Sequence, residues 1–143
     1  MKFIDLFAGI GGIKIAFENA GFNCVFSNDF DDNCKITFDL NFSELFEIDK
    51  QMVLRDISQI STNKIPDFDL LTGGFPCQPF SVAGYRQGFK DEKGRGNVFF
   101  DIIRILKDKK PTAFLLENVK NLKSHDEGNT IKNNTSRTRE IRI

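Results

Sequence analysis

The stretch KFIDLFAGIGGIKIAFENAG, residues 2–21, constrains the fold more than any other part of the chain. A short apolar strand, KFIDL (2–6), runs into three closely spaced glycines and then into a helical stretch, Ile13 to Ala20, closed by Gly21. A strand that hands over to a helix cannot turn back as a hairpin, so the following strand must lie parallel to it. The same alternation then recurs. NCVFSND (23–29) reads as a second strand, and residues 31–41 as a helix with Ile36, Phe38 and Leu40 among its apolar positions. SELFEIDKQ (43–51) fits neither periodicity and is expected to be an irregular insertion before a short strand at 52–56 and a turn of helix at 57–61. FDLLTG (68–73) is a fourth strand, NVFFDIIRILKD (97–108) an amphipathic helix, and TAFLLEN (112–118) a fifth strand. Repeated strand–helix units predict an α/β fold with a mostly parallel sheet covered by helices on both faces, in the doubly wound order 3-2-1-4-5.

The chain carries 20 Lys plus Arg against 20 Asp plus Glu, so no global field draws it to nucleic acid or to a membrane. No apolar run approaches the ~20 residues that span a bilayer, and the N-terminus does not read as a signal peptide. Cys24, Cys34 and Cys77 show no metal-ligand spacing, and three is an odd number, which suits free thiols in a cytoplasm and predicts no metal site. Cys24 and Cys34 read as packing residues. Residues 131–143, IKNNTSRTREIRI, are polar and basic without periodicity and are expected to form a disordered tail beyond a domain of residues 1–130.

Two loops carry chemistry. Gly9, Gly11 and Gly12 let the backbone after the first strand turn tightly and approach a ligand at a helix N-terminus. The pattern is not the full dinucleotide fingerprint, because Lys14 takes the place of the third glycine. Asp29, ending the second strand, is placed to accept hydrogen bonds from a ribose diol, and Asp56, ending the third, from an exocyclic amine such as that of adenine. A tight turn with strand-ending acids is the plain alternative. The other loop, TGGFPCQPFSVAG (72–84), sets Cys77 between Pro76 and Pro79, which restrict the backbone on both sides and hold the thiol in a narrow range of directions.

FAGIGG after strand one, GFPCQPFS after strand four and LLENVKN after strand five, in that order, together resemble the cytosine-5 DNA methyltransferases of bacterial restriction-modification systems. GNVFFDIIRIL and ENVKNLKSHDEGNT extend the resemblance over about residues 2–130. The resemblance implies a Rossmann-like fold that binds S-adenosylmethionine and acts on a cytosine flipped out of duplex DNA. It implies Cys77 as the nucleophile, with Glu117 as its acid partner and Asn118 orienting the ring or the Pro76–Cys77 loop. The cofactor would be lined by Phe7, Ala8, Gly9, Gly11, Gly12, Asp29, Phe30, Asp56, Ile57, Gly74, Pro76 and Val98. Gln78 and Ser81, with Arg86 and Arg95 on the glycine-punctuated loop 82–96, would meet DNA, where basic side chains neutralise phosphates. His125, the one histidine, is expected to have no catalytic role.

The family's later elements, a second arginine-containing motif and a target-recognition domain, do not follow the fifth strand. The expectation is therefore a catalytic part truncated after that strand, or one subunit of a split enzyme that needs a second polypeptide. A catalytically silent remnant that at most binds S-adenosylmethionine is the alternative.

Overall fold

The computed structural model describes residues 1–42, 52–75 and 98–120. In chain order it contains β1 (Lys2–Leu6), α1 (Gly12–Asn19), β2 (Asn23–Asp29), α2 (Asp32–Phe42), β3 (Val53–Leu54), β4 (Leu70–Gly74), α3 (Val98–Lys109) and β5 (Ala113–Glu117). Single 3-10 turns at Ile57–Gln59 and Thr62–Lys64 lie between β3 and β4. The strands form one sheet in the order β3-β2-β1-β4-β5, parallel throughout as the alternation of elements predicts. The expected insertion at 43–51, the loop carrying Cys77 and the tail at 131–143 lie outside the described residues.

β1 is central and buried on both faces. Phe3 packs with Cys24 and Leu70 against Phe17 of α1 and Phe22, while Ile4 and Leu6 join Phe99, Ile102, Ile103 and Leu106 of α3. Alternate residues of one strand therefore serve two cores, with α1 and α3 on opposite faces. α1 stops for a local reason. Gly21 adopts φ +85°, its N–H donates to the Glu18 carbonyl, and the Phe22 N–H reaches back to the Phe17 carbonyl at 3.0 Å. The rings of Phe17 and Phe22 then meet edge to face at 5.3 Å, the apolar contact that accompanies this kind of helix stop.

α2 differs from expectation in its apolar face. Phe38 and Phe42 are buried, whereas Ile36 is 61% and Leu40 73% exposed. Positions two apart fall on nearly opposite sides of a helix, so Ile36 and Leu40 cannot share the face of Phe38. The pair four apart can, and its ring centroids lie 4.6 Å from each other. β3 is also shorter than the predicted strand, two residues paired only with Asn28 and Asp29.

Candidate functional site

Because every strand is parallel, the carboxyl ends of all five lie along one rim, and most of the singled-out residues that the structure describes lie there. Phe7, Ala8 and Gly9 leave β1. Phe7 and Gly9 sit at φ +57° and +55°, and the Ala8 N–H donates to the Asn28 carbonyl at 3.0 Å, tying the loop to β2. The remaining glycines do different work. A Cβ on Gly11 (φ +93°) would stand 2.3 Å from Phe42 Cε2 and 3.2 Å from Phe38 Cδ2, so this glycine is required by the packing of α2. Among the described residues, a Cβ on Gly9 or Gly12 would meet nothing within 4 Å. Those two positions face open space of the kind a bound molecule fills.

Asp29, nearly buried, is already engaged. Its Oδ2 accepts the Gly9 N–H at 2.8 Å, and its Oδ1 accepts the N–H groups of Phe30 (2.7 Å) and Asp31 (3.0 Å). A carboxylate offers about four acceptor positions, so roughly one is left for a further donor. Asp29 is thus a clasp between the glycine loop and the start of α2, which Asp31 caps through Asn33 N–H at 2.8 Å. Beside it the Phe30 side chain is 62% exposed, an aromatic face on the rim. Asp56 is also exposed and caps the first 3-10 turn, its Oδ1 accepting from Ser58 N–H (2.9 Å) and Ser58 Oγ (2.7 Å), while Ile57 is buried beneath.

On the other side of β1, Gly74 pairs in register with Glu117. A Cβ on Gly74 would lie 3.4 Å from Glu117 Oε2 and 3.9 Å from Ile13 Cδ1 of α1, so a side chain there would intrude between the acid and the glycine loop. Asn118 Nδ2 donates to the Phe75 carbonyl at 2.9 Å, anchoring the chain two residues before Cys77. Val98, partly buried, packs against the α3 core at the start of that helix. Pro76, Cys77, Gln78, Ser81, Arg86 and Arg95, together with His125, lie outside the described residues. Among the described residues there is no cluster able to hold a metal ion and no helix long and apolar enough to cross a membrane.

Cys24 and Cys34 are packing residues as expected. Cys24 is buried with Sγ 3.3 Å from Ser27 Oγ, and burial pushes both thiols up from their ordinary value, away from the reactive thiolate. Lys14, at the missing third glycine, is buried, pairs with Glu18 and lies 4.2 Å from the centre of the Phe42 ring. Two residues that shape the rim went unread in the sequence. The Asn28 amide donates to the carbonyls of Val53 (3.0 Å) and Arg55 (2.7 Å), holding the path into Asp56, and Arg104 reaches across from α3 to the turn that follows. Nothing local marked either residue: Asn28 stands between Ser27 and Asp29 at the polar end of its strand, and Arg104 is one of several charged positions on α3.

Known proteins resemble this chain along nearly all its length. It is 51% identical over 132 residues to the Type II methyltransferase M.DsaV of Dactylococcopsis salina and 47% identical to M.HhaI of Haemophilus parahaemolyticus, covering 92% of this chain in each case. It spans only 35% and 38% of those two relatives. Among solved structures, Spodoptera frugiperda DNMT2 superposes with a TM-score of 0.69 at 26% identity, over 95% of this chain and 40% of that one. Schizosaccharomyces pombe Dnmt2 (TM-score 0.66, 21% identity, 95% and 40% covered) shares the fold. The sequence pattern of the C-5 cytosine-specific DNA methylases matches residues 1–141. The chain belongs to the C-5 cytosine-specific DNA methylase family.

Proposed function

We propose that the chain is the cofactor-holding and nucleophile-bearing part of a DNA (cytosine-5)-methyltransferase. S-adenosylmethionine, when bound, supplies an electrophilic methyl group on a sulfonium. The open space over Gly9 and Gly12, the exposed Phe30 ring and the Asp56 carboxylate fit that molecule along one rim. Phe7, Ala8 and Gly11 shape the loop beneath it. Asp29 offers its remaining acceptor position to the ribose, Asp56 accepts from the adenine amino group beside Ile57, and Gly74, Pro76 and Val98 border the methyl-bearing end.

Cytosine C5 is a weak nucleophile until something adds at C6. The Cys77 thiolate adds there, forming a C–S bond as the C5–C6 double bond opens, while protonated Glu117 hydrogen-bonds or protonates ring N3, where the displaced electron density collects. The adduct leaves C5 nucleophilic, and a cofactor held over the glycine loop would supply the methyl group that C5 takes up. Loss of the C5 proton to a base expels Cys77 as thiolate and restores the ring. Asn118 acts through the backbone. Its 2.9 Å bond to the Phe75 carbonyl is the observation that carries this reading, because it fastens the acid's strand to the loop that bears the thiol. Gln78, Ser81, Arg86 and Arg95 line the approach of a flipped cytosine in duplex DNA, with sequence recognition supplied by further polypeptide, in the cytoplasm.

Cys77 is tested on DNA carrying 5-fluorocytosine, where the C5 substituent cannot leave as a proton and the adduct persists. With this chain completed by the C-terminal remainder of a relative such as M.DsaV, a covalent complex forms with the parent and is lost in Cys77→Ser. A complex of equal yield in Cys77→Ser assigns the nucleophile elsewhere. Cofactor binding without any complex in the parent favours a silent binding module.

A further inference from the structure

Arg104 has no part in the chemistry above, yet it reaches the segment on which the adenine end of the site depends. It sits on the second turn of α3, and Asp101, one turn earlier, holds its guanidinium through Oδ1, 3.0 Å from Nη2 and 3.3 Å from Nε. The free edge of the fork crosses to the other segment. Nη1 donates to the Ile60 carbonyl and Nη2 to the Ile57 carbonyl, each at 3.0 Å. These residues bracket the 3-10 turn that starts immediately after Asp56.

That turn has little to hold it. Its backbone bonds run from Gln59 N–H to the Asp56 carbonyl and from Ile60 N–H to the Ile57 carbonyl, at 3.0 and 3.2 Å, and its other local bonds are those of the Asp56 cap to Ser58. So short a piece has no cooperative stability of its own. The strand leading into it, β3, is two residues long and at the edge of the sheet. Tertiary contacts must therefore fix the corner: Ile57 and Ile60 buried against α3, and the Arg104 fork across their carbonyls. A planar guanidinium can span two carbonyls and a carboxylate at once, which an ammonium cannot do with the same geometry.

We propose that Arg104 is a positioning residue that fixes the Asp56–Ile57 corner and so sets the preference of the site for an adenine amino group. The inference rests on the cofactor reading above, which assigns Asp56 to that amine.

The experiment measures, by calorimetry, binding of S-adenosylhomocysteine and of its purine analogue lacking the 6-amino group. The parent chain favours the adenine form by about 10- to 150-fold, the range set by one hydrogen bond to a charged acceptor. Asp56→Ala removes that preference. Arg104→Gln and Arg104→Lys also bring the ratio toward one, by weakening the adenine form while leaving the purine form nearly unchanged. A role confined to stability would lower the melting temperature and leave the ratio intact, and that result overturns the inference. Should Arg104→Gln fail to fold, Asp101→Ala frees the guanidinium from its anchor without removing it, and lowers the ratio by about 2- to 3-fold. An unchanged ratio there overturns the inference equally. A parent that binds neither ligand, or shows no preference that Asp56→Ala can remove, overturns the cofactor reading instead.

Discussion

Asp5 shows how much one residue on the central strand can weigh. It lies on β1, fully buried, facing α1. Burial raises its carboxyl from 3.8 to about 6; the Thr72 hydroxyl, the Lys14 backbone N–H and the Lys14 charge hold it down in part, and the Asp29 charge adds to the rise. The contacts agree with a proton on the acid. Thr72 Oγ1 donates to Asp5 Oδ1 at 2.8 Å and to the Ile4 carbonyl at 3.0 Å, while Asp5 Oδ2 is buried with no hydrogen-bond partner among the described residues, which disfavours the charged form. Below pH 3.8 both folded and unfolded chains hold the proton. Between there and about pH 6 only the folded chain does, so stability falls as pH rises through that window and stays lower above it. A displacement of this size corresponds to roughly 3 kcal/mol. Asp5→Asn keeps the bond to Thr72 without the charge. Its melting temperature should vary less than the parent's between pH 4 and 6 and lie above it at pH 7; parallel pH profiles would exclude Asp5 as the cause.

At the scale of elements, the turn from β1 into α1 must satisfy both packing and access to the rim. Gly11 is fixed by φ +93° and by Phe42 pressing against it, whereas Gly12 opens the helix with nothing among the described residues within 4 Å of its missing side chain. Gly11→Ala combines a left-handed alanine, about 1–2 kcal/mol, with displacement of Phe42 and Phe38 and is expected to lower stability by at least that amount. Gly12→Ala should leave the melting temperature unchanged or slightly raised, since alanine is preferred to glycine within a helix by roughly 0.5–1 kcal/mol. It should nevertheless weaken S-adenosylmethionine binding. Melting curves and calorimetry on the two variants separate the roles, and equal losses of stability would contradict the packing assignment. The same turn explains why a lysine can replace the third glycine: Lys14 points into the interior, against Phe42 and Glu18, and leaves the open side to Gly9 and Gly12.

Across the whole molecule, the sheet is protected unevenly. β1 and β4 are paired on both sides, whereas among the described residues β5 pairs only with β4. AFLLE reads as a strand meant for burial on both faces, yet its exposure alternates and Leu115 is 49% exposed. An apolar strand with one unpaired edge invites association, and a lysine on such an edge discourages it. Leu115→Lys in residues 1–143 should lower concentration-dependent light scattering while changing folding stability, read from melting curves, by no more than about 0.5 kcal/mol. Unaltered scattering would place the sticky surface elsewhere.

The order of elements and the parallel sheet followed from the sequence alone, because strand–helix alternation favours parallel strands joined by crossovers, and the expected 3-2-1-4-5 arrangement is the one the sheet adopts. Gly9, Asp29 and Asp56 were singled out because they follow strand ends, which parallel strands bring together, whereas Glu117 and Asn118 were singled out by the family resemblance and lie on the same rim. Tertiary structure decided what each residue does there. Asp29 proved to be a clasp with about one acceptor position left, and Gly11 a packing residue rather than an open one. Ile36 and Leu40 turned outward because a helix presents positions four apart, and only the fold selects which such set meets the core. Asn28 and Arg104 support Asp56 through backbone carbonyls 25 to 47 residues away in sequence. A carbonyl has no side-chain signature, so bonds of this kind cannot be read from residue types and exist only once the chain has folded.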